Sequence, residues 1–329
     1  MSARSEWSID EPRRLTFDEP ATALQVWIVG GTVNVVGTDD GPARLEVSEI
    51  EGPPLAVTHQ DGRLSVGYDD LPWKSPLKWL DRREWTRTAH LTLAVPTGTA
   101  VSIGVVGADV VLSGLSGRAE LRGVSGDLTL VGLVGEVSAH TVSGRVEAQA
   151  VTGELRFHSV SGDLTVVEGA AVHADSVSGN MVLDLAPHRA ARGTDLRLTT
   201  VSGEIAVRLP QPADARVDAD TTSGTVSCAF EDLRVSGQWG AKRITGTLGS
   251  GRGSLRATTV SGAIALLRRP DTPEAADAAG GPDGPGAGDA PSGSPAPAGP
   301  HTPAGPGTPA GPEAPAGPDA PTSTEGKAL

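Results

Sequence analysis

From residue 108 to 269 apolar and polar residues alternate in short runs, and each run restarts at a glycine. Take each such glycine as position zero. Apolar side chains fill position +2 (Leu128, Val137, Val146, Leu155, Leu164, Met181, Ile205, Ile264) and position +4 (Leu121, Leu130, Phe157, Val166, Leu183, Val207). They also fill position −2: Leu115, Val124, Leu133, Val142, Val151, Val160, Val177, Val201 and Val260. Position +3 is mostly polar, as in Glu120, Thr129, Ser138, Glu147, Arg156 and Thr165. This period of two predicts strands with one buried face, and it counts position −2 among the inward residues.

The glycines at 117, 126, 135, 144, 153 and 162 are nine residues apart, and later ones at 179, 203, 224, 237, 246 and 262 are spaced more loosely. A nine-residue unit holds a strand of about five residues and a corner of about four. Glycine is expected at the corner for its unusual dihedrals. Two units make one 18-residue coil, and coils stacked about 4.8 Å apart give an all-β parallel β-solenoid, a β-roll or β-helix. The alternative is an antiparallel β-sandwich. The intervals are too short for helical crossovers, which excludes a doubly wound α/β fold.

Residues 1–107 read as a strand-rich N-terminal region without the nine-residue phrase. LQVWIV, TVNVVG, ARLEVSEI, RLSVGY and HLTLAV are rich in β-branched residues, and Asp40-Gly41 and Asp61-Gly62 mark tight turns. Composition changes the picture only after Pro270. Residues 270–329 hold 15 of the 26 prolines and repeat PAGP from 297, 303, 309 and 315. With eight acidic residues and one lysine this tail is expected to be disordered, a solubilising tail or tether.

The net charge of −13 gives no reason to expect nucleic acid as a partner. The one cysteine, Cys228, excludes an intrachain disulfide framework and is expected to point inward. The N-terminal stretch has no apolar core of a signal peptide, and no apolar run has the length of a membrane span. A cytoplasmic protein is therefore expected, with peripheral envelope association as a further option.

The phrases GVSGDLTL (123–130), HTVSGRVEA (140–148), HSVSGDLTVVEG (158–169), TTVSGEIAVRLP (199–210) and TTVSGAIALLRR (258–269) resemble the bacterial putative-adhesin repeat family, a domain family of unassigned function. The resemblance spans residues 20–269 and implies the solenoid fold, and it implies nothing about chemistry.

The recurring hydroxyl (Ser116, Ser125, Ser143, Thr152, Ser161, Ser178, Ser202, Ser223, Ser261) is expected to bond corner backbone, because a nucleophile occurs once and needs an activating base. Asp127, Arg145 and Asp163 fall in one column and suggest a cross-strand charge ladder. His140 and His158, 18 residues apart, are expected to stack on one outer face, with Arg122 and Asp175 extending their column. In residues 71–87, Trp73, Trp79 and Trp85 alternate with Lys74, Lys78, Arg82, Arg83 and Arg87; this is expected to cap the solenoid or contact a membrane or partner. No cofactor, metal or catalytic set is expected, and Glu136 and Glu154 are too scattered to suggest a glycan-cleaving groove. The reading is a non-enzymatic scaffold or binding module for an unknown protein or cell-envelope partner. The rival is a self-assembling polymer laid out like a bactofilin.

Overall fold

The computed structural model describes residues 4–39, 41–68, 87–185 and 194–270. Every regular element among them is a strand. The N-terminal region supplies β1 (Ser5–Ile9), β2 (Arg13–Phe17), β3 (Ala23–Thr38), β4 (Ala43–Glu51), β5 (Leu55–Gln60), β6 (Arg63–Gly67) and β7 (Thr88–Pro96). The repeats supply β8 (Ala100–Ser113), β9 (Ala119–Gly123), β10 (Leu128–Val131), β11 (Val137–Thr141), β12 (Arg145–Gln149), β13 (Glu154–Ser159), β14 (Asp163–Gly169), β15 (Ala171–Ser176), β16 (Met181–Leu185), β17 (Asp195–Thr200) and β18 (Ile205–Leu209). The chain closes with β19 (Ala215–Thr221), β20 (Val226–Cys228), β21 (Leu233–Gln238), β22 (Ala241–Leu248), β23 (Gly253–Thr259) and β24 (Ile264–Arg268).

The fold is a parallel β-solenoid, and each coil contributes one strand to each of two ladders. In the first ladder β9, β11, β13, β15 and β17 pair in parallel; in the second, β10, β12, β14, β16 and β18 do. Val137 lies opposite Leu155 and Leu128 opposite Val146, so one coil takes 18 residues, as the nine-residue phrase predicts. The apolar positions +2 and +4 point inward. Val137, Ala139, Val146, Phe157, Leu164 and Val207 are fully covered and form one continuous core.

Position −2 behaves differently from the expectation. Leu115, Leu133 and Val151, at one corner, are buried, but Val124, Val142, Val160, Val177, Val201 and Val260, at the other, are 39–49 % exposed. The inward set there begins two residues after the glycine, so the valine before it lies on the outer rim of the corner. Each rim valine therefore leaves much of its side chain to solvent.

The order of coils along the stack is not their order along the chain. β23 pairs with β17 on one side and β19 on the other, and β24 lies between β18 and β20 in the same manner. The last coil, 253–268, therefore occupies a slot between coils 195–209 and 215–228. At the other end β3 pairs with β8, and also with β6 in the first ladder and β7 in the second. Residues before 107 thus enter the same stack as the repeats, and β3 and β8 each run through both ladders.

Antiparallel strands finish three of the four ladder ends: β5 and β1 beyond β6, β4 and β2 beyond β7, and β22 and β21 beyond β19. The fourth ends on β20, a parallel strand of only three residues. Short or reversed end strands weaken the template that an open parallel edge offers to another chain. Asp61 and Gly62 turn β5 into β6 with positive φ at both residues (51° and 73°), the geometry of a tight hairpin turn. Cys228 sits at the end of β20 and is only partly buried, with its Sγ 3.6 Å from the Phe230 carbonyl. It points inward as expected, opposite the buried Leu266 and against the core, and is incompletely covered because β20 belongs to the terminal coil, which has a neighbour on one side only.

Candidate functional site

The repeated corner residues are structural. The backbone N–H of Ser143 donates to the Val124 carbonyl of the preceding coil (2.9 Å), and its hydroxyl donates to the same oxygen (3.2 Å). Ser125, Ser161, Ser178, Ser202, Ser223 and Ser261 repeat this double bond onto the neighbouring coil. A second hydroxyl, three residues before the glycine, accepts from the glycine N–H at Ser159, Ser176, Thr200, Thr221 and Thr259.

The glycine is needed for closeness more than for dihedrals. A Cβ on Gly179 would stand 1.9 Å from the Gly162 carbonyl oxygen, and one on Gly203 1.8 Å from that of Gly179. The aspartate column is also backbone-directed. Asp127 accepts from the Arg145 N–H (2.8 Å), Asp163 from the Asn180 N–H (2.8 Å), and Asp127 itself donates its N–H to Asp109 (2.9 Å). These carboxylates cap the next coil's corner and do not form the charge ladder expected from the sequence. A short side chain two bonds from the backbone reaches an N–H more readily than a guanidinium one coil away.

With the corners absorbed by architecture, ionisable side chains remain on both outer faces: Arg145, Glu147, Asp184 and Arg208 on the second ladder, and a longer run on the first ladder. Its strands present two parallel outward rows. One row runs Trp27, Gly104, Arg122, His140, His158, Asp175, Thr199, Thr258, Asp220 and Arg243 in register. The expected column of Arg122, His140, His158 and Asp175 is therefore a set of direct cross-strand neighbours. The imidazoles of His140 and His158 stack with ring centres 4.9 Å apart and 17° between planes. His158 Nδ1 lies 3.5 Å from Asp175, and Ser138 Oγ lies 3.0 Å from His140 Nε2. Partial burial, the neighbouring His158 and the Arg122 charge push the His140 imidazole below its ordinary pKa, against a smaller pull upward from Glu120.

The second row runs Gln25, Ser102, Glu120, Ser138, Arg156, His173, Arg197, Arg256 and Asp218. Arg156 forks between Glu136 and Glu154, and His173 sits between Glu154 (3.1 Å) and Asp195 (3.9 Å). The two glutamates are thereby held in an ion-pair network. Farther toward the N-terminal end the same face dips into a polar recess lined by Arg4, Gln25, Thr58, Gln60, Asp61, Arg63 and Ser65.

Sequence reasoning missed Trp27, Arg156 and His173. Trp27 lies flat over Gly104, whose missing side chain makes room for the indole. That pairing joins positions 77 residues apart, with no periodic signal to connect them. Trp73, Trp79, Arg82, Arg83 and Trp85 lie outside the described residues, as does the tail beyond Pro270. Among the described residues no group of three His, Cys, Asp or Glu side chains converges as a metal-ligand set, and no helix is long and apolar enough to cross a membrane.

Residues 164–267 match the family model described as Toastrack DUF4097, in accord with the adhesin-type repeats read from the sequence. No curated protein matches the chain. Among solved structures, the chain resembles a "putative adhesin" from Bacteroides fragilis NCTC 9343, at 12% identity and a TM-score of 0.38 over 81% of this chain and 97% of that one. It also resembles a "putative cell adhesion protein" from Clostridium sporogenes ATCC 15579, at 13% identity and a TM-score of 0.26 over 79% and 100%. A third is a "putative lipid binding protein" from Parabacteroides distasonis ATCC 8503, at 11% identity and a TM-score of 0.31 over 79% and 98%.

Proposed function

We propose that the protein is a non-enzymatic binding module that meets a protein or cell-envelope partner with the outer face of its first ladder. The observation that carries this reading is the sorting of side chains between the two faces. The first ladder presents Trp27, Arg122, His140, His158, Arg156, His173, Arg197 and Arg256 on adjacent strands. The second presents Val111, Thr129, Glu147, Thr165, Val182, Ala206 and Ala265 along one row, with its Arg208 already paired to Asp184. Aromatic and arginine side chains are the types most enriched where proteins bind one another. A rigid parallel sheet holds their backbones at a fixed spacing of about 4.8 Å, so little backbone freedom remains to be lost on docking.

The test compares two charge-altered chains for co-sedimentation with isolated cell envelopes. Arg122→Glu with His158→Glu alters the first face, and Thr129→Glu with Thr165→Glu alters the second. Loss of binding in the first variant alone is expected. Equal binding by both variants would remove the first face from the proposal.

A further inference from the structure

The same-sign pairs on the first face are not treated alike. Glu136 and Glu154 are neighbours on successive coils, and Arg156 bridges them with a guanidinium contact to each. Two like charges facing each other across a ladder are destabilising unless something of opposite charge lies between them. Arg197 and Arg256 are the reverse case, directly opposite each other on β17 and β23. Among the described residues Arg197 has no ion pair. Arg256 reaches only Asp218 at 4.0 Å, and Asp218 is already gripped by Arg243 through two bonds of 2.7 and 2.8 Å.

Two residues along each strand, on the same outward side, stand Thr199 and Thr258, also directly opposite each other. In register the result is a square of two arginines beside two threonines. It is produced by the segments LRLTTVSG (196–203) and LRATTVSG (255–262), which the insertion of the last coil brings side by side. Three further acids border the square and each has a partner. Asp195 accepts from Ser254 Oγ (3.0 Å), and Asp175, opposite Thr199, lies 3.5 Å from His158 Nδ1. Asp220 accepts from Thr258 Oγ1 (3.3 Å), which occupies one hydroxyl of the square and leaves Thr199 for a ligand.

We propose that Arg197 and Arg256, with Thr199, bind a phosphate or sulfate group. A carboxylate would be satisfied by one guanidinium fork, whereas a tetrahedral oxyanion has oxygens for both arginines and the hydroxyl. The inference deepens the binding-module reading, since the square lies on the same face, and it names the chemistry taken there.

The experiment uses the full chain at constant ionic strength. Inorganic phosphate is titrated by calorimetry, and vesicles of phosphatidylcholine with or without phosphatidylglycerol are tested by co-sedimentation. Arg197→Gln with Arg256→Gln is expected to weaken phosphate binding by about tenfold or more, each lost charged bond accounting for a sizeable part of that factor. Arg44→Gln, on the other ladder, is expected to bind as the unaltered chain does. Arg197→Lys with Arg256→Lys should restore part of the affinity, because it keeps the charge and loses the fork. Binding of phosphatidylglycerol vesicles that the double glutamine change abolishes assigns a lipid headgroup as the source; binding of phosphate without vesicles assigns a free anion. Absence of binding to both probes, or equal binding by the double glutamine variant, overturns the site. Phosphate binding that persists while envelope co-sedimentation fails would leave this site standing and remove only the broader reading.

Discussion

At the scale of the residue, the phrase Val-Ser-Gly divides its labour in a way that hydropathy alone does not show. The glycine is required because the coils touch there: a methyl group on Gly179 would meet a backbone oxygen 1.9 Å away. Backbone on both sides of the contact cannot move as a flexible side chain would. Gly179→Ala is therefore expected to cost about 3 kcal/mol or more, read as a lower denaturation midpoint in urea. Gly98→Ala is the control, because nothing lies within 4 Å of its added carbon and its φ is not positive; it should leave stability unchanged or raise it slightly. The histidine pair adds a pH dependence. His140 is pushed below its ordinary pKa, so the unfolded chain takes up a proton there more readily than the folded one. Its contribution is expected to be most favourable above the ordinary histidine range and to decline as pH falls through about 6.5. Thermal melts between pH 8 and 5 should show a decline that His140→Gln makes shallower.

At the scale of the element, the last coil depends on a small latch. Asp214, just before β19, accepts the Arg252 backbone N–H (3.0 Å), the Arg252 Nε (2.6 Å) and the Ser250 hydroxyl, which fastens the glycine-rich turn that carries the chain from β22 into β23. The Arg252 backbone and side-chain bonds hold the Asp214 carboxyl down at about 2, against an ordinary value of 3.8. A depressed carboxylate contributes stability that is fully present above its unfolded pKa and is lost as pH falls through its folded one. The latch should thus weaken between about pH 4 and pH 2. Protection of Gly251 and Gly253 against hydrogen exchange, relative to the intrinsic rate at each pH, is expected to fall across that window, and Asp214→Asn should lower it at neutral pH. Exchange rates that stay equal in the two chains at neutral pH would mean that the latch does not hold the turn.

At the scale of the whole molecule, reversed or very short strands close the ladders, and the stacked histidines and Arg197 and Arg256 lie on one broad face. Sedimentation of the full chain over a wide range of concentration is expected to show no growth into long polymers, since the antiparallel strands at three ladder ends offer no in-register parallel template. Species that lengthen steadily with concentration would favour end-to-end assembly. The nine-residue spacing by itself determined the strand length, the 18-residue coil, the inward positions two and four residues after the evenly spaced glycines, and the His140–His158 neighbourhood. Those are local quantities, set by a side-chain period of two and by the repeat length. The rim position of the valines was not legible in the hydropathy period, although the two corners differ in their letters: the exposed valines stand in Val-Ser-Gly, whereas the buried residues stand in Leu-Ser-Gly, Leu-Val-Gly and Val-Thr-Gly. Only the tertiary structure decided which coils are neighbours once the spacing became irregular. The sequence separation between partners jumps from 18 to 59 residues at β17 and β23, so no periodic signal connects Arg197 to Arg256. Pairing there rests on which slot the last coil fills, and that is fixed by the packing of the whole stack.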